Sequence, residues 1–175
     1  QLGVDEQTSA EPGTLFVNVL GVALFGFNDT GPKVIQMILQ LAALTAMLFA
    51  LRKLFGKTAA LISVTIAAVY LSAPHIAKVG NVKEQYMISF MVLSACSWIW
   101  YELTGKKGYV FLTGAAIIWP FYFKVTGISI VTALLLYLVF KKICKEYSWK
   151  ELGIDLLWLF FGSAIGIIPL ITFGF

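Results

Sequence analysis

The chain has 175 residues, of which 59% are hydrophobic and only 13% are charged, and its net charge is +4 at neutral pH. Water-soluble domains carry about 25% charged residues, so the composition excludes a soluble globular domain and indicates a lipid bilayer. The single histidine excludes a metal cluster built on histidines, but a cation held by carboxylates remains open. Cys96 lies in an apolar run and Cys144 in a basic loop, and nothing in their surroundings pairs them.

The first 33 residues are predicted to form an external segment. Residues 1–13, QLGVDEQTSAEPG, are acidic and have neither the basic nor the apolar region of a signal peptide. The apolar run at 14–27 would span only about 21 Å as a helix, so we expect an interfacial or re-entrant juxtamembrane helix on the outer side. The alternative is a shallow apolar helix that merely packs against the bundle. Because the chain opens with Gln1 and stops inside an apolar run, we expect a fragment of a longer membrane protein.

Residues 34–175 are predicted to form a single transmembrane bundle of about six spans. A helix needs about 20 apolar residues to cross the hydrocarbon core, and four runs meet this requirement: 34–51, 58–76, 85–103 and 152–175. The last run contains Asp155, Gly162, Gly166 and Pro169, which predict an irregular helix. The predicted fold class is therefore an all-α polytopic membrane helix bundle.

The apolar region 108–140 is predicted to form the two remaining spans as a helical hairpin. One straight helix of this length would be about 50 Å long, which is far longer than a bilayer is thick. Pro120 and Gly127 in the stretch WPFYFKVTG provide a break, and Trp119, Tyr122 and Lys124 are residues typical of a membrane interface. The stretch is therefore predicted to be the tip of the hairpin.

The distribution of basic residues predicts the orientation of the bundle. With alternating spans, Lys33, Lys78, Lys83 and Lys124 fall on one face. The other face receives the remaining nine of the 13 basic residues, which are Arg52, Lys53, Lys57, Lys106, Lys107, Lys141, Lys142, Lys145 and Lys150. Because cytoplasmic loops carry the excess of lysine and arginine, the face with nine is predicted to be cytoplasmic. The basic residues form short pairs rather than one stripe, so nucleic acid is not expected as a partner.

Polar residues from three separate segments are predicted to meet on the outer face. Carboxylates there can act as a general base or hold a divalent cation, and lysines can bind a phosphate. The alternative is that these side chains only anchor helix ends at the interface, where lysine snorkels at little cost. The outward polar residues are Asp5, Glu6, Glu11, Asn28, Asp29, Lys33, His75, Lys78, Asn81, Lys83, Glu84 and Lys124.

Three stretches resemble the membrane glycosyltransferases of the GT-C superfamily, the kind related to protein O-mannosyltransferases and to the lipid A aminoarabinose transferase. EPGTLFVNVLGVALFGFNDTGPKVIQ is similar to the segment after the first external loop in that family. There, a Pro-Pro or Pro-Gly pair precedes an apolar juxtamembrane helix, a Phe-Gly and a basic residue, and the corresponding residues here are Pro12-Gly13, Phe25-Gly26 and Lys33. GNVKEQYMISFMVLS is similar to the connection before the fourth span, and FKVTG is similar to a lysine-containing turn of many members. The chain is thus similar to the N-terminal membrane portion of such an enzyme.

The resemblance implies an enzyme that transfers a sugar from a polyprenyl-phosphate donor outside the cytoplasm, in a bacterial inner membrane. It implies that Asp5 and Glu6 supply the catalytic base. The family normally leaves a longer gap before the proline, so the alternative is a base upstream of Gln1. Lys124, Lys83 and Lys78 are the candidates for binding the lipid phosphate. Glu11, His75 and Glu84 are predicted to line the polar site, and a divalent cation is a candidate cofactor.

Two other functional classes remain open from the sequence. In a non-catalytic membrane subunit or scaffold, the outward charges would only anchor helix ends. A transporter or flippase is a weaker interpretation, because the spans show no inverted repeat and Asp155 is nearly alone as a charge inside a span.

Overall fold

The structure is a computed structural model that describes residues 11–73, 80–145 and 147–174, without the side chains of the last two positions. All of the secondary structure in these ranges is helical, which confirms the predicted all-α fold. The elements are α1 (Pro12–Phe25), α2 (Thr30–Phe55), α3 (Lys57–Ser72), α4 (Lys83–Thr104), α5 (Lys107–Ile117), α6 (Trp119–Phe123), a 3₁₀ turn (Val125–Ile128), α7 (Ser129–Ile143) and α8 (Trp149–Gly174).

Four of the helices that the structure describes are long and apolar enough to cross a membrane: Thr30–Phe55, Lys83–Thr104, Val125–Ile143 and Trp149–Thr172. They correspond to four of the six predicted spans, and the chain is an integral membrane protein. The other two predicted spans are shorter in the described residues. Helix α3 has 16 residues and α5 has 11, with α6 continuing the path of α5 after a break at Ile118. Helix α1 has 14 residues, as its apolar run predicts.

Helix α4 shows which residues lie at which end of the bundle, because its two ends carry different ion pairs. Glu84 near its start accepts a hydrogen bond from Lys124 at 3.0 Å, and Glu102 near its end accepts one from Lys141 at 2.8 Å. Eighteen residues of helix separate the two glutamates by about 27 Å. We call the end with Glu84 the outer end and the end with Glu102 the inner end.

The ion pairs of α4 confirm the hairpin predicted for residues 108–140. Lys124 at its tip lies at the outer end, and Lys141 lies at the inner end. Lys107, which begins α5, is only five positions from Glu102 and also lies at the inner end. The chain therefore runs outward through α5 and α6, turns at Lys124, and returns through α7. Lys124 itself has extended backbone angles, φ −163° and ψ 136°, which end α6.

The aromatic residues of the hairpin tip differ in how far they are buried. Trp119 and Tyr122 were expected at the membrane interface with Lys124, but Trp119 is only 8% exposed and packs between Phe16 of α1 and Phe90 of α4. The reason is that the tip folds against α1 and α4, so that its rings replace lipid with protein contacts. Trp119 is thus covered by protein rather than exposed at the surface of the tip, whereas Tyr122 stays partly exposed, and the depth of both residues in the membrane stays a prediction.

Small residues allow α8 to pack closely against α5. A Cβ atom at Gly162 would clash with the carbonyl oxygen of Phe111, and one at Gly114 would clash with the carbonyl oxygen of Leu159. Close approach through small residues is a common way for helices to associate in membranes. Ser163 adds a hydrogen bond to the carbonyl of Gly114 at 3.0 Å. Although Pro169 lies inside α8, the helix is continuous from Trp149 to Gly174, so the predicted irregularity is not seen in its secondary structure.

Helix α8 begins three residues before the predicted start of its span. Ser148 and Glu151 form a capping box: the Glu151 amide donates to the Ser148 hydroxyl at 3.1 Å, and the Ser148 amide donates to the Glu151 carboxylate at 2.9 Å. These two bonds satisfy amide groups that the first turn of a helix leaves without partners. The helix therefore includes a polar first turn that precedes the apolar run.

Candidate functional site at the outer end

The outer end is built on a close contact between α1 and α2. A Cβ at Gly31 would lie 2.5 Å from the carbonyl oxygen of Gly21, and one at Gly21 would lie 2.7 Å from the ring of Pro32, so both positions require glycine. Asn28 closes the turn between the helices. Its side-chain oxygen accepts from the Thr30 amide at 2.9 Å, and its amide nitrogen donates to the Phe25 carbonyl at 2.7 Å. Helix α1 is thus fixed alongside the start of α2.

Glu11 precedes α1 and forms an ion pair with Lys83, the first residue of α4. The pair joins residues that are 72 positions apart in sequence. The hydrogen bond from Lys83 lowers the pKa of the Glu11 carboxyl below its ordinary value, and a backbone amide adds to the effect. Glu11 is therefore a carboxylate at neutral pH, and it ties the external segment to the transmembrane bundle.

The next residue of α4 forms the second ion pair of the outer end. Lys124 donates a hydrogen bond to Glu84 at 3.0 Å, and their side chains remain 40% and 35% exposed. Glu84 lies in the first turn of α4, where the helix dipole favours a negative charge. Lys83 and Glu84 are consecutive, so the start of α4 connects α1 on one side with the hairpin tip on the other.

A layer of aromatic rings lies beneath these charges. Phe123, which precedes Lys124, is fully buried and stacks on Tyr86 with 5.1 Å between the ring centroids. Phe90 stacks on Trp119 at the same separation. Offset stacking of this kind adds about 0.5–1.5 kcal/mol per pair beyond burial. The rings fix the backbone of the hairpin tip, and so they fix the position from which the Lys124 side chain extends.

Four of the predicted site residues are brought together by these contacts: Glu11, Lys83, Glu84 and Lys124. The other four, Asp5, Glu6, His75 and Lys78, lie outside the described residues, so their roles stay predictions. Within residues 11–73, 80–145 and 147–174, no group of three or more His, Cys, Asp or Glu side chains could hold a metal ion. The divalent cation also stays a prediction, for which the sequence named no ligands.

The outer end offers a ligand two lysine–carboxylate ion pairs, Lys83 with Glu11 and Lys124 with Glu84. An ammonium group has three N–H donors, and each lysine uses one of them on its carboxylate. Among the residues that the structure describes, the other two donors of each lysine have no carboxylate partner, so they remain for a second anion. Since the lysine side chains are still more than one-third exposed, an incoming phosphate group can reach them without unfolding the bundle.

A second feature of the outer end is a polar pocket of about 450 Å³ between the end of α1 and the start of α2. Sequence analysis placed Asn28, Asp29, Lys33 and Asn81 on the outer face, and all four line this pocket. Asn18 was not anticipated, because it lies within the apolar run of α1. Its position is fixed by Asn81, whose side-chain amide donates to the Asn18 oxygen at 3.0 Å.

Sequence reasoning also missed the polar network that holds the start of α4. The Gln36 side chain donates to Gln85 and accepts a hydrogen bond from the Val82 amide at 2.7 Å. Gln40 donates to the same Gln85 oxygen at 2.8 Å, and Gln85 donates to the Leu71 carbonyl at 2.9 Å. The signal was present in the sequence: Gln36 and Gln40 are four residues apart in a predicted span and therefore lie on one face of the helix.

A third missed cluster lies at the inner end. Asp155 of α8 is fully buried and forms an ion pair with Lys107 of α5. Tyr101 of α4 donates its hydroxyl hydrogen to Asp155 at 2.6 Å and accepts a hydrogen bond from Lys107 at 2.7 Å. The sequence singled out Asp155 as a charge in a span but gave no partner for it, because the partners lie about 50 residues away.

The fold and the charged outer end define a polytopic membrane protein with a candidate site at one boundary of the bilayer. Over residues 9–172, the chain matches the family described as dolichyl-phosphate-mannose-protein mannosyltransferase, and it belongs to that family. This finding confirms the resemblance to GT-C membrane glycosyltransferases, which use a polyprenyl-phosphate-sugar donor. No curated protein and no solved structure matches the chain.

Proposed function

We propose that the chain transfers a sugar from a polyprenyl-phosphate donor on the extracytoplasmic face of a bacterial inner membrane, and that Lys124 and Lys83 hold the donor phosphate. The observation that carries the proposal is the convergence of Lys124, Glu84, Lys83 and Glu11 at one end of the bundle. These residues come from the external segment, from α4 and from the hairpin tip. Membership of a family with lipid-phosphate-sugar donors supplies the type of ligand.

The depth of the site suits a ligand whose phosphate lies at the membrane boundary and whose chain lies in the bilayer. Lys83 and Lys124 stand at the ends of apolar helical segments, where their ammonium groups can reach the head-group region. The aromatic layer beneath Lys124 keeps the tip from shifting. A phosphate that approaches Lys124 meets a positioned cation and gains a charge-assisted hydrogen bond.

The two carboxylates set the strength of phosphate binding. Glu84 and Glu11 neutralise the lysines in the absence of donor, so the phosphate must share each ammonium with a carboxylate or displace it. This competition favours a moderate affinity, which suits a donor that has to leave after the sugar is transferred. Asp5 and Glu6 remain the proposed base, with an acid upstream of Gln1 as the alternative, and a divalent cation remains the proposed cofactor.

The test is the affinity of the purified protein in lipid nanodiscs for bare polyprenyl phosphate. Lys124→Ala is expected to weaken binding about 5- to 30-fold, which corresponds to the loss of about 1–2 kcal/mol from a charge-assisted contact. Lys124→Arg is expected to retain more than half of the binding free energy. Lys141→Ala is the matched control, because it breaks an ion pair with Glu102 at the inner end and is expected to leave the affinity unchanged.

Glu84→Gln separates phosphate binding from a purely structural ion pair. If phosphate competes with Glu84 for Lys124, this variant is expected to bind polyprenyl phosphate as tightly as the wild type or more tightly. If the ion pair only shapes the tip, Glu84→Gln and Lys124→Ala will have the same effect. Equal effects of the two variants, or no effect of Lys124→Ala, would overturn the proposal and favour the non-catalytic subunit, in which the charges are only anchors.

A further inference from the structure

An apolar groove of about 260 Å³ lies between α7 and α8 and reaches the inner end of the bundle. It is lined by apolar side chains of both helices, from Leu135 and Leu156 within the bundle to Ile143 and Trp149 at the inner end, and by Lys142. Leu135 is seven positions from Lys142, and Leu156 is seven positions from Trp149, which is about 10 Å of helix in each case. The charged residue of the groove therefore lies at its inner mouth, and the rest of its lining is apolar.

Two contacts fix the Lys142 side chain at the mouth of this groove. Its ammonium group donates a hydrogen bond to the Tyr147 carbonyl at 3.1 Å, and it lies 4.5 Å from the centroid of the Trp149 ring. Both partners belong to the connection from α7 into α8. Because they cover the side chain from one side, Lys142 is half-buried and does not extend freely into water.

Neither contact neutralises the positive charge of Lys142. A carbonyl oxygen and an aromatic ring carry no net charge, and Lys142 forms no salt bridge with a carboxylate in the ranges that the structure describes. By contrast, Lys83, Lys107, Lys124 and Lys141 each form an ion pair there. An ammonium group has three donors. Lys142 is therefore a positioned, half-buried cation that has donors left for an anion.

The residues around Lys142 add to the positive charge at the mouth of the groove. Residues 141–151 contain four lysines and two glutamates, which gives this segment a net charge of +2. One of the glutamates, Glu151, accepts a hydrogen bond from the Ser148 amide in the capping box of α8. Lysines at the cytoplasmic boundary attract anionic lipids by about 1 kcal/mol each, so this segment favours an anionic ligand.

We propose that the groove between α7 and α8 binds an anionic phospholipid from the leaflet at the inner end. Lys142 donates a hydrogen bond to the lipid phosphate, and one acyl chain lies along the apolar lining of the groove. The Trp149 ring, which is 74% exposed, packs beside the glycerol region at the depth where tryptophan is enriched in membrane proteins. The lipid is not a reactant, and the site lies at the other end of the bundle from Lys124, so the proposal does not rest on the proposed function.

Charge and shape together distinguish this ligand from other molecules at the same boundary. A zwitterionic phospholipid carries a cationic group next to its phosphate, and the lysines of residues 141–151 repel that group. A soluble phosphate ester can bind Lys142, but it leaves the apolar lining of the groove uncovered. An anionic phospholipid satisfies both parts of the site, since it joins a negative head group to an apolar chain.

The first test is native mass spectrometry of the full chain in detergent, titrated with phosphatidylglycerol or with phosphatidylcholine to obtain the Kd of the first bound lipid. The wild type is expected to bind phosphatidylglycerol more tightly. Lys142→Ala is expected to weaken phosphatidylglycerol binding about 5- to 30-fold and to leave phosphatidylcholine binding unchanged. Lys142→Gln is expected to lose as much, because it can still donate to the Tyr147 carbonyl but carries no charge. Lys53→Ala is the matched control, since Lys53 is exposed near the inner end of α2 and does not line the groove.

A second pair of variants tests the groove and leaves Lys142 in place. Val139→Trp puts a large ring into the space of the acyl chain, so it is expected to weaken phosphatidylglycerol binding by about 5-fold or more, as expected for the loss of about 1 kcal/mol of apolar contact. Leu136→Trp is the matched control, because Leu136 lies on the same helix but does not line the groove. Val139 and Leu136 are 55% and 65% exposed, so neither substitution changes the core.

Four results would overturn the proposal. Lys142→Gln with the affinity of the wild type would give Lys142 a structural role only, and equal effects of Val139→Trp and Leu136→Trp would mean that the groove holds no chain. Soluble glycerol phosphate that competes with phosphatidylglycerol at equal concentration would make this a site for a soluble phosphate ester. Binding of bare polyprenyl phosphate that depends on Lys142, without such binding of phosphatidylglycerol, would assign the groove to the sugar donor.

Discussion

The inner end of the bundle buries one charged group, the Asp155 carboxylate, whereas the outer end leaves every member of its two ion pairs partly in contact with solvent. Asp155 at the inner end is fully buried, and its two oxygens are used by Lys107 and Tyr101. At the outer end, the Lys83 and Lys124 side chains are 37% and 40% exposed, and each has one carboxylate partner. The same residue types therefore occur in two different environments within one chain.

The difference teaches which charges are available for a ligand. Removing one partner of a buried ion pair leaves an uncompensated charge inside the protein and costs about 3–5 kcal/mol, so Lys107 cannot leave Asp155 to bind something else. Partly exposed pairs are weak because water competes with them. The outer lysines can exchange a carboxylate for a phosphate at little cost, which favours the outer end as the proposed phosphate site, whereas the Lys107–Asp155 pair at the inner end stabilises the packing of α5 against α8.

The cavities of the two ends also differ in polarity. The outer pocket is lined by three asparagines, Asp29 and Lys33. A cavity of about 410 Å³ between α4, α5 and α7, toward the inner end, is lined almost entirely by apolar side chains. In a membrane an apolar groove can be filled by lipid chains, whereas the exposed carboxylate of Asp29 and the exposed ammonium group of Lys33 keep the outer pocket accessible to water.

The largest expected effect concerns which side of the membrane each end faces. Cys144, just after α7 at the inner end, is exposed, and Cys96 is buried. In intact cells Cys144 is expected to be protected from an impermeant thiol reagent, because the excess of basic residues predicts that the inner end faces the cytoplasm. In a Cys96→Ala, Cys144→Ser background, Val125→Cys at the hairpin tip is expected to be labelled, since Val125 is 71% exposed.

Permeabilised cells provide the control, because Cys144 and the cysteine introduced by Val125→Cys are both expected to react there. Labelling of Cys144 in intact cells together with protection of Val125→Cys would reverse the proposed orientation. Labelling of both from the same side would contradict the hairpin itself.

The next largest effect is expected for the ion pair between Lys107 and Asp155 at the inner end. Lys107→Ala leaves the buried Asp155 carboxylate with Tyr101 as its one remaining partner among the described residues, so we expect a loss of about 3–5 kcal/mol in the free energy of unfolding. Tyr101→Phe is expected to cost less, about 1–3 kcal/mol, because it removes one hydrogen bond and leaves the ion pair. Equilibrium unfolding in mixed detergent micelles measures both values.

The paired variant Lys107→Met with Asp155→Leu is the control for this prediction. Replacing a whole buried ion pair by apolar residues is often neutral or stabilising, so the double variant is expected to be clearly more stable than Lys107→Ala alone. A double variant as unstable as the single one would mean that packing, and not the unpaired charge, carries the effect.

Much of the fold could be predicted from the sequence, because helix length and apolar composition are local properties. The 14-residue apolar run gave α1, and the run at 108–140 gave a hairpin, since no single helix of that length fits a bilayer. The boundaries were less accurate where polar residues extend a helix. Ser148 and Glu151 start α8 before its apolar run begins. Trp119 and Phe123 of the hairpin tip are buried because α1 and α4 cover them.

The sequence predicted where the residues of the candidate site lie, but it did not predict which lysine forms an ion pair with which carboxylate. Topology alone sends Glu11, Lys83, Glu84 and Lys124 to one face, but which lysine meets which carboxylate depends on how α1 and the tip pack around α4. The buried polar groups were harder to assign. The partner of Asp155 lies 48 residues away on another helix, and such a contact leaves no periodic signal in the sequence.

The smallest expected effect is the pH dependence of the Glu11–Lys83 pair. Lys83 lowers the pKa of Glu11 in the folded protein below its ordinary value of 4.5. The pair's contribution to stability is therefore complete above that ordinary value and is lost as the pH falls through the lowered pKa. The effect is small because the pair is partly open to solvent. It is measured as the difference in unfolding midpoint between the wild type and Glu11→Gln over a pH series.

Taking this difference cancels the titration of all other groups, which the two proteins share. The wild type is expected to be the more stable protein near neutral pH, and the difference is expected to shrink toward zero below pH 4.5, the ordinary pKa of the group. Lys83→Met is the control, because that background removes the largest cause of the lowered pKa of Glu11 and leaves only the backbone hydrogen bond, so Glu11→Gln should make a clearly smaller difference at every pH. A difference that grows as the pH falls, or that persists unchanged in the Lys83→Met background, would mean that Glu11 does not act through Lys83, and the attachment of α1 to α4 would need another cause.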